Sequence, residues 1–287
     1  MTLPSADTLI PDPTSSASSS TILLLIRHGE TAWNKAGRIQ GHTDIPLSDV
    51  GLAQARMLVR RWLPPATKAG PVRQDDMLAA GALGRGSGDV VLAGDPASSV
   101  PRDASPWVRP LTAVVSSDLS RAAQTAAPLL QALAPDTPLK AITHMAGLRE
   151  RAFVVFEQQD KQTIERRWPV AYGRWITHDP DFAPEGGESL RALYQRVIGT
   201  LGEQARRHIG GTVACVAHGG VLDCAFRFAH GVPLDVPRAC VLRNASINVL
   251  RWYSGTTPEQ DRAEVLAWGD VAHLADMAAD EARDDRV

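Results

Sequence analysis

This chain lacks any marked excess of charge of one sign. Thirty Lys and Arg stand against 32 Asp and Glu, a net charge of −2 spread without blocks. That excludes the electrostatic footprint of a nucleic-acid binder or a membrane-surface binder, so any positive groups that hold an anion must be local. Cysteine is scarce too. Cys215, Cys224 and Cys240 form neither a C-x-x-C pair nor a metal-type spacing, which points to unpaired thiols, a reducing and therefore cytoplasmic setting, and no metal. Cys215 lies in an apolar run and reads as core. No stretch reaches the roughly 18 apolar residues of a membrane span. Residues 1–20, rich in Ser, Thr, Pro and Asp, lack the apolar segment of a signal peptide and read as a disordered N-terminal tail.

What is present is a core-forming chain of 287 residues with 44% hydrophobic content, enough for one large domain. Thr21–Ile26 is a continuous apolar run with β-branched members, the pattern of a strand buried on both faces of a parallel sheet. From Ser48, a capping residue, Leu52, Ala55, Val59 and Leu63 recur at helical spacing until Pro64 and Pro65 end the helix. Residues 64–110 are rich in Gly, Pro, Ala and Ser with little periodicity, and read as an insertion.

Order returns at Thr112–Val115, a second strand, followed by a helix from about Ser120. A third strand is expected at Thr137–Ile142. Residues 160–185 form an aromatic-rich helical or irregular segment carrying Trp168, Tyr172, Trp175 and Phe182. Glu188–His208 is the clearest helix, with Leu190, Leu193, Tyr194, Val197 and Leu201 on one stripe. Thr212–Ala217 is again an apolar strand, and two more strands are expected at Ala245–Trp252 and Ala263–Trp268. Strands alternating with helices predict a single domain over residues 21–274, a three-layer α/β/α sandwich with a mostly parallel central sheet, then a charged tail over 275–287.

Two of these strands end in histidine and glycine: Ile26-Arg27-His28-Gly29 and Ala217-His218-Gly219-Gly220. Ligands of open parallel sheets bind beyond the carboxyl ends of the strands, so neighbouring strands would deliver both imidazoles to one cleft. Glycine there lets backbone amides approach an anion. A third strand runs into Ser116-Ser117-Asp118-Leu119-Ser120-Arg121, placing Arg121 in the first turn of a helix. The helix dipole does not favour a cation there, which suggests that Arg121 faces an anion.

The pieces R-H-G-E-T-A-W-N (27–34), G-R-I-Q-G-H-T-D-I-P-L-S (37–48), S-S-D-L-S-R-A-A-Q-T-A (116–126), L-R-E-R (148–151), G-G-E-S (186–189) and A-H-G-G-V-L (217–222) together resemble the histidine phosphatase superfamily, the phosphoglycerate mutase-like proteins. The resemblance implies the phosphoglycerate mutase-like fold and phosphoryl transfer through a phosphohistidine on His28. Arg27, Arg121, His218 and the amide near Gly219 would hold the phosphoryl oxygens. Glu150 would protonate the leaving group and then deprotonate water. Asn34 stands where relatives place further phosphate contacts, and Arg38, Gln40 and Gly41 where they contact substrate. No cofactor is implied; the partner is a small phosphorylated metabolite, with a homo-oligomer left open.

For attack, His28 must be neutral and its other ring nitrogen held, whereas His218 beside a phosphoryl group serves best as a cation, so their pKa values are expected to diverge. Two departures from the family pattern are visible. Val154 and Gln158 stand where relatives often carry glycine, and a β-branched residue resists positive φ, so the loop after Glu150 is expected to run differently. Ile39-Gln40-Gly41-His42 and Glu150-Arg151-Ala152-Phe153 also depart from the mutase versions of these loops, which favours a phosphatase. A phosphoglycerate mutase is the second reading, and a catalytically weak module that binds a phosphorylated ligand is the third.

Overall fold

The computed structural model describes residues 20–62, 111–133, 141–275 and 277. The insertion at 64–110, the N-terminal tail apart from Ser20, and nearly all of the charged tail lie outside the described residues. Ser20 itself opens the first strand.

Six strands form one sheet: β1 (Ser20–Arg27), β2 (Leu111–Ser116), β3 (Thr143–His144), β4 (Thr212–Ala217), β5 (Ile247–Tyr253) and β6 (Arg262–Asp270). Their spatial order is β3-β2-β4-β1-β5-β6. The pairs β3·β2, β2·β4 and β4·β1 are parallel, and β1·β5 and β5·β6 are antiparallel. Seven helices are described: α1 (Ala32–Lys35), α2 (Asp49–Trp62), α3 (Ser120–Leu133), α4 (Lys161–Arg167), α5 (Pro169–Ile176), α6 (Leu190–Arg207) and α7 (Gly219–His230).

The apolar run of β1 is explained by burial on both sides. Ile22, Leu24 and Ile26 pack with Leu58 of α2 and Ala122, Ala126 and Leu129 of α3. Leu23 and Leu25 point the other way, against Leu193, Val197 and Leu201 of α6 and Val221, Leu222 and Ala225 of α7. Each such fully buried side chain contributes roughly 1.5–3 kcal/mol. The result is the three-layer α/β/α sandwich expected from the sequence. A third, separate cluster of Phe156, Ile164, Trp175 and Phe182 joins α4 and α5 to the loop after Glu150.

Ser48 caps α2 as expected, accepting from the Gly51 amide at 3.1 Å. The third strand is displaced: residues 137–140 are outside the described set, Ala141 and Ile142 are not in a strand, and β3 is Thr143–His144 alone. Two rungs leave no period for a sequence pattern to show. The fifth strand begins at Ile247 rather than Ala245, because Ala245 takes a left-handed φ of 55° in the turn before it. Helix α7, directly after His218, had not been anticipated. No helix among the described residues is long and apolar enough to cross a membrane.

Candidate active site

β1 and β4 pair in parallel with Arg27 opposite Ala217, so His28 and His218 leave the sheet side by side. The His28 amide donates to Ala217 O at 2.9 Å, and its ring lies 5.1 Å from that of His218, centroid to centroid. A carbonyl can only accept, so the 2.7 Å contact of His28 Nδ1 with Gly29 O is an Nδ1–H donation. That fixes the tautomer and leaves the lone pair on Nε2. Asn244 Nδ2 donates to His28 O at 3.0 Å and secures the backbone behind it. His218 is the N-cap of α7 and fully buried, and neither of its ring nitrogens has a hydrogen-bond partner among the described residues.

The two imidazoles do not diverge in pKa as expected. Both are held well below the ordinary histidine value. Burial is the main cause for each, and the guanidiniums of Arg121 and Arg27 add to it; the Gly29 hydrogen bond opposes it at His28. A cationic ring there would sit in low dielectric between two other cations.

Arg121, in the first turn of α3, is completely buried. Its Nη1 donates to Thr43 O at 3.0 Å and its Nη2 to Gly41 O at 2.8 Å, while Nε is buried without a partner. Burial lowers its pKa to about 10, which still leaves it cationic at neutral pH. Arg27 Nη1 donates to Leu242 O.

Glu150 does not pair with the arginines beside it in sequence. Arg149 forms a bidentate bridge to Asp118 at 2.7 and 2.6 Å, and Arg151 donates to Glu188 O and Phe182 O. The Glu150 carboxylate instead accepts the amides of Arg151, at 2.8 Å, and Gly220, at 3.0 and 3.2 Å. The glycine pair after His218 thus brings a backbone amide close to an anion, and that anion is Glu150. A Cβ on Gly220 would stand 2.2 Å from Glu150 Oε1.

The loop after Glu150 keeps left-handed backbone without glycine: Val154 has φ 42° and Gln158 φ 71°. Both positions take the positive φ that a side chain there was expected to resist. Glu157 supplies the reason, for its Oε1 accepts the amides of His42, Phe153 and Val154, and its Oε2 accepts the amide and hydroxyl of Thr43. One carboxylate therefore ties this loop to residues 42–43, whose neighbouring carbonyls hold Arg121. A Cβ on Gly41 would fall 2.0 Å from Glu157 Oε1.

A cavity of about 270 Å³ opens over these groups. Arg27, His28, Asn34, Arg38, Gln40, Gly41, Arg121, Glu150 and Gly219 all line it, whereas His218, fully buried beside His28, does not. Asn34 Oδ1 accepts from Thr31 and Asn244, and Gln40 Oε1 accepts from the Thr31 hydroxyl, so both serve the wall as well as facing the cavity. The wall also takes in Arg151, Phe153, Lys161, Trp175, His178 and Arg238. Sequence reasoning passed over Arg151, His178 and Arg238; only the aromatics of 160–185 had marked that region. Among the described residues no group of three or more His, Cys, Asp or Glu side chains could hold a metal ion.

Fold and site together define an α/β protein with two strand-end histidines and buried arginines gathered at the carboxyl edge of its sheet. The histidine phosphatase superfamily (branch 1) family model matches residues 23–66 and 105–264, and the chain belongs to that superfamily, whose members are phosphatases or mutases. It is 29% identical over 263 residues to the metal-independent phosphoserine phosphatase of Arabidopsis thaliana, covering 91% of this chain and 86% of the relative. It is 30% identical over 258 residues to the probable phosphoglycerate mutase GpmB of Proteus mirabilis, covering 90% and 96%. The solved structure of Bacillus stearothermophilus YhfR superimposes with a TM-score of 0.62 at 25% identity, covering 88% of this chain and 99% of that one.

Proposed function

We propose that this protein is a metal-independent, cofactor-free phosphoric monoester hydrolase that cleaves a small phosphorylated metabolite through a phosphohistidine on His28. The observation that carries the reading is the Nδ1–H donation of His28 to Gly29 O. It presents a neutral Nε2 lone pair beside Arg27 and Arg121 at the floor of a cavity.

In the first step Nε2 of His28 attacks phosphorus in line. The bond from phosphorus to the ester oxygen breaks, and that oxygen leaves with its electron pair and a proton from Glu150. In the second step water gives a proton to the Glu150 carboxylate and its oxygen attacks the phosphohistidine. The P–N bond breaks, the pair returns to Nε2, and inorganic phosphate departs. Arg27, Arg121 and the Gly219 amide stabilise the charge on the non-bridging oxygens. His218 is close enough to His28 to donate to one of those oxygens. A dianion there would oppose the burial and guanidinium effects that depress its pKa, so His218 would take up a proton with the substrate.

Arg38, Arg151, Lys161, His178 and Arg238 meet the leaving group, with Phe153 and Trp175 giving it apolar contact. The resemblance to a phosphoserine phosphatase supports hydrolysis of an ester of this size. The resemblance to a probable phosphoglycerate mutase favours a second reading, in which the phosphohistidine returns its phosphoryl group to substrate. Three free, buried thiols suit a cytoplasmic setting.

The test is mass spectrometry of protein caught during turnover of p-nitrophenyl phosphate by an alkaline denaturing quench, which spares the acid-labile P–N bond. A phosphoryl group on His28 is expected, lost together with turnover in His28→Ala and indifferent to a chelator. Full turnover by His28→Ala, or label on another residue, overturns the reading. Strong activation by a trace of a bisphosphorylated metabolite would select the mutase.

A further inference from the structure

Glu150 has little regular structure to hold it. After a single 3-10 turn at Ala146–Leu148 the backbone runs extended from Arg149, and the nearest strand, β3, has two residues. A carboxyl group that moves protons must nevertheless be fixed to a fraction of an ångström. The fixing comes from across the layer, from Arg196 in the second turn of α6.

Arg196 Nη1 donates to Gly147 O at 2.9 Å, to Arg149 O at 3.0 Å and to Ala146 O at 3.4 Å, while Nη2 reaches Glu150 O at 3.3 Å. The same guanidinium is gripped by Glu188, Nε to Oε1 at 3.0 Å and Nη2 to Oε2 at 2.7 Å. His42 Nε2–H adds a second donor to Glu150 O at 2.8 Å. One planar cation thus gathers four carbonyls between residues 146 and 150, which a point-like ammonium cannot do. Arg196 does not line the cavity. An ordinary surface ion pair would need only Glu188; it would not account for the carbonyl contacts.

We infer that Arg196 is a positioning residue for Glu150, held in register by Glu188. The inference rests on the reading of Glu150 as the proton donor. Its signature is selective, because proton donation matters for an alkoxide leaving group and hardly at all for p-nitrophenolate.

The experiment compares kcat/KM, which reports the steps through phosphoryl transfer, for an alkyl phosphomonoester and for p-nitrophenyl phosphate. Wild type, E150Q, R196K and the double variant E150Q/R196K are measured, with melting curves for each. General acid catalysis contributes about 10²–10⁴-fold and small misplacements cost part of it. R196K should therefore lose roughly tenfold with the alkyl ester, under twofold with the aryl ester, and nothing more in the E150Q background. E188Q, which leaves Arg196 in place without its grip, should show the same selective loss and carries the test should R196K not fold. Equal losses on both esters, or none, would overturn the assignment of Arg196. If E150Q itself shows no leaving-group dependence, the reading of Glu150 fails and the inference falls with it; if E150Q shows it and R196K does not, only the inference fails.

Discussion

Replacing Glu157 by glutamine changes one oxygen for one NH2 group and should cost more than any exposed polar substitution. The carboxylate takes five donors: three amides on Oε1, and the amide and hydroxyl of Thr43 on Oε2. Glutamine offers a single carbonyl oxygen, which at best keeps the three amides of His42, Phe153 and Val154. Its NH2 group then faces the Thr43 amide, while the Thr43 hydroxyl can turn and accept. Three bonds lose their charge assistance, one is broken and one reverses. At about 0.5–0.75 kcal/mol for each of the four weakened or broken bonds, after discounting for a half-buried group, the loss is about 2–3 kcal/mol. In a domain of this size that lowers Tm by about 4–12 °C.

The pH dependence provides a second check. Burial works to raise the Glu157 pKa, but the Thr43 hydroxyl and the His42, Val154 and Phe153 amides outweigh it and bring it below the ordinary value. Its stabilisation is full above the unfolded pKa of about 4.3 and fades as pH falls through the lower folded value. Differential scanning calorimetry should therefore find the gap between wild type and E157Q wide at pH 7 and narrowing from pH 5 to pH 3. A variant melting within 2 °C of wild type at pH 7, or a gap unchanged at pH 3, would refute the view that this carboxylate binds the two loops together.

Gly220→Ala places a methyl group against Glu150 Oε1 and near Leu193; kcat/KM should fall about tenfold or more with little change in Tm, and an unimpaired enzyme would show that the Gly220 amide does not hold the carboxylate. Because His28 and His218 have folded pKa values below the unfolded 6.5, the unfolded chain binds more protons under acid conditions. Stability should be full above about pH 6.5 and decline below it, by up to about 1.4 kcal/mol per pH unit for each ring; His178 and His208, also lowered, act in the same sense. Tungstate, a dianion that mimics phosphate, should reverse part of this by letting His218 take a proton, so its gain in Tm should grow from pH 7.5 to pH 6. A pH-independent gain would contradict proton uptake on binding.

The parts of the fold that sequence revealed are those with many repeating rungs. β1, β4 and α6 bury several residues in a regular period, so their apolar runs mark them within one or two positions. β3 has two residues and marks nothing. Helix α7 begins at the glycines read for their nearness to an anion, so their place in a helix was overlooked. In the site, Arg27, His28 and Arg121 stand at element ends that pattern could locate, whereas Glu150 is reached only through the family resemblance. Arg196 and Glu157 were not singled out, because their function lies in carbonyls and amides contributed by distant loops. Val154 shows a related limit: local φ preference disfavours its conformation, and a carboxylate three residues on holds it there.

The aromatic cluster around Phe156 and Trp175 shares no buried residue with either face of the sheet. Under the proposed function, substitutions at Phe153 and Trp175, which line the cavity, or at Phe182 packed behind them, would reshape the chamber for a new leaving group while the strands that carry His28 and His218 stay untouched. Diversification of substrate range and retention of the chemistry are, in this architecture, separable inheritances.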